Sequence, residues 1–118
     1  MSLARNIGDL PNGDDAPLFG CRAWINFNGT GTIAIRDSGN VTSITDNGTG
    51  DYTVTFTTAM PDANYSAVLS AGRTQDTTNA MRVGVIKGPP NASFVRIATC
   101  SSDNSTSDAN EVCAAIFR

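Results

Sequence analysis

At 118 residues the chain fits one domain with a single core, and with 16% charged residues, a net charge of −3 and no basic cluster it argues against a nucleic-acid or anionic-membrane partner. The absence of histidine removes Ser-His-Asp and Cys-His catalysis and the usual zinc partner of cysteine, and no apolar run approaches the length of a membrane-spanning helix. Helix formers are scarce, with Glu111 the one glutamate and Lys87 the one lysine, so the composition describes short strands joined by polar turns.

In chain order, residues 1–20 carry charges, two prolines and the Asp14-Asp15 pair without periodicity, and read as an extended arm or linker with no secretory signal. From Cys21 onward apolar and polar residues alternate. Strands are expected at 21–27, 32–37, 40–45, 52–58, 65–71, 81–86, 94–101 and 111–117, separated by turn signals. This predicts an all-β domain over 21–118: an antiparallel β-sandwich of about eight short strands, jelly-roll-like or a small barrel. The cleanest alternation puts Tyr52, Val54 and Phe56 on one face and Thr53, Thr55 and Thr57 on the other.

The tetrapeptide Asn-Gly-Thr-Gly occurs at 28–31 and at 47–50. Strands flank both copies, which removes a phosphate loop, since that needs a helix N-terminus after the strand. Sequons at Asn28, Asn40, Asn47, Asn64, Asn91 and Asn104 read as a by-product of an Asn/Ser/Thr-rich chain, and the spacing does not recur as a solenoid would require. Both copies read as hairpin turns. For the first, a three-residue loop of Gly29, Thr30 and Gly31, with Gly31 left-handed, pairs Phe27 with Ile33, Ile25 with Ile35 and Trp24 with Arg36. That register gathers four large apolar side chains on one face.

Chemistry-bearing groups are few. Asp46, Asn47 and Asp51, or Asp103, Asp108 and Glu111, supply oxygen ligands without EF-hand spacing, and Asx-rich turns form without metal. No acid pair alternates toward one face, so the expectation is a non-enzyme with no catalytic residue, cofactor or metal. Three cysteines, Cys21, Cys100 and Cys113, leave one unpaired and read as free thiols. If the last two strands pair as a hairpin, Cys100 faces Cys113, where a disulfide fits. Ile97 then faces Ile116 in the core, and Ala98 faces Ala115 with Arg96 facing Phe117 on the reverse. That reverse face, with Phe94, is too apolar for water, so Phe94, Ala98, Ala115 and Phe117 are the candidate subunit interface, with the arm as the alternative cover.

The wording of Cys21-Arg22-Ala23-Trp24, of Asp46 to Tyr52, of Ala59 to Tyr65 and of the ending Ala-Ala-Ile-Phe-Arg resembles the carboxy-terminal domain of bacteriophage and prophage tail-fibre proteins of the marine and environmental phage type. The resemblance covers residues 21–71 closely and the last strand loosely; residues 72–111 match no pattern of the family. It implies a homotrimeric tip on the virion, made in the bacterial host cytoplasm, that touches host glycan or lipopolysaccharide, with neither nucleic acid nor membrane insertion involved. The alternatives are a structural trimerisation cap and an independent carbohydrate-binding module. It identifies no binding residue. The loops 72–80, 87–93 and 101–111 are where recognition is expected, and Arg73, Gln75, Asp76 and Asn79 are the candidate receptor-binding residues, since their side chains suit sugar hydroxyls or phosphate. Trp24 reads first as strand packing, or as an exposed residue at a trimer seam.

Overall fold

The computed structural model describes residues 19–72, 82–101, 103 and 105–118. These form eight strands: β1 (Cys21–Asn28), β2 (Ala34–Gly39), β3 (Val41–Gly48), β4 (Asp51–Phe56), β5 (Ser66–Gly72), β6 (Arg82–Ile86), β7 (Phe94–Ser101) and β8 (Glu111–Phe117). Each expected strand is present, with ends moved by a few residues. All pairings are antiparallel, in two four-stranded sheets: sheet A runs β2-β1-β8-β5 and sheet B runs β3-β4-β7-β6. The domain is an open sandwich. Of the expected arm only Phe19 and Gly20 are among the described residues.

The core follows from alternation. Tyr52, Val54 and Phe56 of β4 are buried while Thr53 and Thr55 face outward, and Val95 and Ile97 continue that inner face on β7. Sheet A answers with Ala23, Ile25 and Phe27 of β1 and Val112, Ala114 and Ile116 of β8. Each large apolar side chain withdrawn from water contributes about 1.5–3 kcal/mol. Phe27 and Tyr52 meet edge to face across the sandwich, centroids 5.1 Å apart and planes at 72°, the arrangement the ring quadrupoles favour.

The first hairpin is wider than the register argument expects. Asn28 pairs with Ala34 and Phe27 with Ile35, and beyond a bulge Ile25 pairs with Ser38 and Trp24 with Gly39. Arg36 is the extra residue on β2. A tight turn would use Gly29 as a loop residue, but its N–H donates to Ala109 O at 2.9 Å and its carbonyl accepts from Tyr52 at 2.9 Å. Asn28 Oδ1 then takes the Thr30 N–H (3.0 Å) and hydroxyl (2.6 Å). Gly31 does adopt positive φ, +59°, and Ile33 and Ile35 both pack on the core. The second copy turns β3 into β4 through Thr49 and Gly50.

The last two strands do not form a hairpin. β7 lies between β4 and β6, and β8 lies between β1 and β5 in the other sheet. Each has one core face, and those faces oppose each other across the sandwich; a long connection lets consecutive strands change sheets. Cys100 therefore pairs laterally with Val83, and Cys113 with Asn26 and Ser70. The two thiols sit on opposite outer surfaces, free, and out of reach of a disulfide. Phe94 and Ala98 belong to sheet B, Ala115 and Phe117 to sheet A, so the four expected interface residues do not form one surface.

The chain passes from sheet A to sheet B at a single residue, Asn40, which holds φ +57°. Asparagine tolerates this conformation better than other residues with a Cβ. Its Nδ2 donates to Arg22 O and Thr58 O at 3.0 Å, its Oδ1 accepts the Thr58 N–H at 2.7 Å, and its carbonyl accepts the Thr57 N–H at 3.1 Å. One side chain thus ties the start of β1 to the segment after β4. Asn40→Ala is expected to lower stability by about 2–3 kcal/mol, read as a lower urea midpoint at unchanged slope, with Asn40→Gly recovering part of the loss.

Candidate functional site

Antiparallel pairing sorts the connections to two ends. Cys21 and Phe117 are neighbours at one end, where Asn40, the β4–β5 connection and residues 87–93 also lie. The turns 29–33 and 49–50 and the connection after Ser101 lie at the other. Gly72, opposite Glu111, and Arg82, opposite Ser101, also lie at that end. Arg73, Gln75, Asp76 and Asn79 lie outside the described residues. Of the loops expected to recognise a partner, residues 87–93 lie at the opposite end from residues 105–111.

A polar knot fixes the hairpin end. The buried Tyr52 hydroxyl lies 2.9 Å from Gly29 O and 3.0 Å from Asp108 Oδ1, one proton facing two acceptors. Burial first, and Asp108 as well, pushes its pKa up to about 12, so it stays a donor. Asp108 Oδ1 also accepts the Gly50 N–H at 2.7 Å. Thr99 N donates to Gly50 O, Ser107 N to Thr99 O, and Thr99 Oγ1 to Ser107 O. Residues 107–109 are therefore a strap pinned across both hairpins, while Asp103, Ser105 and Thr106 stand exposed beyond it. Arg36 anchors the strap's far end, donating to Asn110 O at 2.5 Å and pairing with Glu111 at 3.4 Å. The two Asn-Gly-Thr-Gly copies now differ in role: a Cβ on Gly29 would overlap Tyr52 and Ala109, and one on Gly50 would overlap Thr99 and Ser107.

On the outer face of sheet B, Asp51 receives Arg96 Nε at 2.8 Å and Nη2 at 2.6 Å, and Lys87 Nζ at 2.7 Å. Lys87 follows the edge strand β6 and must cross β7 to reach β4, so this cluster roofs Ala98, which is 3% exposed. Ala98 needs no neighbouring subunit to cover it. The Arg96 guanidinium beside Asp51 holds its carboxyl well below the usual carboxylate range; burial opposes this and Lys87 reinforces it. Asp62, paired with Arg118, is lowered to about 2. The oxygen-bearing side chains of the two Asx-rich turns serve bonds within the domain: Asp46 caps Gly48 N, Asn47 Nδ2 donates to Asp51 Oδ1 at 3.4 Å, Asp103 takes Ser105 N, and Asp51, Asp108 and Glu111 have the partners already described. Among the described residues no three metal-ligating groups gather.

Among the described residues none covers the outer face of sheet A. Trp24, 42% exposed, has its pyrrole edge directly over Gly39, where any Cβ would overlap Nε1 and Cδ1. Across the strands run Ala115 and then Val68, 61% exposed, and one row along lie Asn26, Cys113 and Ser70. They bound a groove of about 350 Å³. Sequence reasoning named Trp24 but missed Gly39, because the pairing of the two depends on the bulge at Arg36.

No protein-family model, curated protein or solved structure matches the chain.

Two measurements check the geometry. Gly31 opens on empty space and Gly50 does not, so Gly31→Ala should cost about 1 kcal/mol from left-handed strain alone and Gly50→Ala about 3 kcal/mol or more. Because the folded-state pKa of Asp51 lies below its unfolded value near 3.9, its contribution is complete above about pH 5 and fades as pH falls through and below 4. Asp51→Asn should accordingly lower the urea midpoint clearly at pH 7 and by a smaller amount near about pH 2.5, where the unfolded chain is protonated but the folded carboxylate is still ionised.

Proposed function

We propose that the chain is a non-enzymatic adhesive tip of a bacteriophage tail fibre, made in the host cytoplasm and carried on the virion, that contacts bacterial surface glycan or lipopolysaccharide through the end loops of a homotrimer. The observation that carries this reading is the segregation of the sandwich: Cys21 and Phe117 share one end, and the hairpin loops occupy the other on a strap locked by Tyr52 and Asp108. A fibre joined at the first end turns the second toward the cell, and a rigid base is what recognition loops require. Each acid among the described residues is committed to a donor, which favours binding over hydrolysis.

The subunit seam is the β6 edge. Val83, Val85 and Ile86 are each about 40% exposed, and Phe94 is 37% exposed. An apolar edge strand with no charge between Arg82 and Lys87 is one that natural proteins cover. The same edge favours the second reading, a trimerisation cap that contacts no receptor.

Light scattering should give three times the 12.3 kDa chain mass, and Val85→Lys should yield monomers. Alanine at Arg73, Gln75 and Asp76 should weaken attachment to host cells at unchanged mass. A monomeric wild type would overturn the fibre reading, and attachment that survives every loop variant would leave the cap.

A further inference from the structure

We propose that Trp24 is the platform of a saccharide site on the outer face of sheet A, stacking on one neutral pyranose ring. The site lies on a strand face rather than at the hairpin end, so it goes beyond the adhesive reading and stands without the loops. Three observations converge on it. The indole lies over the Gly39 backbone on the outer face of the sheet, which holds it from one side and leaves it 42% exposed. The floor beside it is made of the small side chains Ala115 and Cys113, and the far wall is Val68 on the second strand over. At about 4.8 Å between strands, the two walls rise from lines roughly 10 Å apart, and the groove of about 350 Å³ falls at the small end of ligand sites.

The lining decides the chemistry. No charged side chain bounds the groove, so the complementary ligand is uncharged. The C–H groups on one face of a pyranose carry partial positive charge and meet the negative face of the indole. The ring hydroxyls project from the sugar's edge and need donors and acceptors at the rim. Asn26 and Ser70 stand there on either side of Cys113, and Asn26 is held by accepting from Arg36 Nη1 at 3.2 Å. The platform and the Asn26 side of the rim are thus held before the ligand arrives, which reduces the ordering cost of binding.

Trp24 is the only tryptophan, so its fluorescence reports this site alone. The full chain is titrated with a panel of neutral methyl pyranosides and their short oligosaccharides. A saturable emission change with reduced acrylamide quenching is expected for at least one sugar, weakened about tenfold in Gly39→Ala, where the ring is displaced. Asn26→Ala and Ser70→Ala, at positions that tolerate change, should each weaken it severalfold, and Val68→Asn, on an exposed wall, at least fivefold. No saturable response across the panel overturns the proposal, as does a response untouched by Asn26→Ala, Ser70→Ala and Val68→Asn. Quenching of sugar-free protein that falls with rising protein concentration also overturns it, because a second copy then covers the face. Loop variants that lose cell attachment while sugar titration persists bear on the adhesive reading only.

Discussion

One buried phenol organises the hairpin end of this protein: Tyr52 packs edge to face on Phe27 and aims its hydroxyl between Gly29 O and Asp108 Oδ1. A buried hydroxyl without a partner costs about 1–3 kcal/mol, and here the acceptors come from the first hairpin and from the β7–β8 connection. That connection passes over the hairpin ends as the chain goes from sheet B to sheet A, where β8 lies between β1 and β5. Its passage there explains why Gly29 and Gly50, rather than the more obvious turn position Gly31, are the glycines in closest contact with other backbone.

The opposite end is held by different means. Asn40 turns the chain between sheets in one left-handed residue, and Arg118 reaches back to Asp62 while its carbonyl accepts from Arg22 at 2.6 Å. The exposed Arg118–Asp62 pair adds little to stability, whereas the Asn40 bonds satisfy main-chain groups of β1 and of the segment after β4 at once. The two ends therefore differ in character: one is a buried polar knot beneath loops, the other the place where β1 begins and β8 ends.

The two outer faces contrast as sharply. On sheet B the ion cluster of Asp51, Arg96 and Lys87 spans three strands and covers the small Ala98 between them. On sheet A the equivalent small residues, Ala115 and Cys113, are flanked by Trp24 and Val68 and remain an open trough. Small side chains in mid-strand have become a buried floor in one sheet and an open floor in the other, depending only on which neighbours can reach across.

Sequence alone determined the elements. Alternation of period two marks all eight strands, because a strand buried on one side must repeat every second residue; the inner face of Tyr52, Val54 and Phe56 was legible this way, and the Asn-Gly-Thr-Gly copies were legible as hairpin turns though not the length of the first. The missing histidine was equally legible, whereas Trp24 read first as strand packing and its exposure was left to the fold. Tertiary structure decided the rest. The Phe27–Ile33 pairing failed because Gly29 is bound by Ala109 and Tyr52, residues distant in sequence, and the bulge at Arg36 is what brings Gly39 beneath Trp24. The Cys100–Cys113 facing failed because apolar alternation says which way a side chain points and not which strand lies beside it. Partner choice rests on the closing of long loops around a shared core, and that information belongs to no single stretch of the chain.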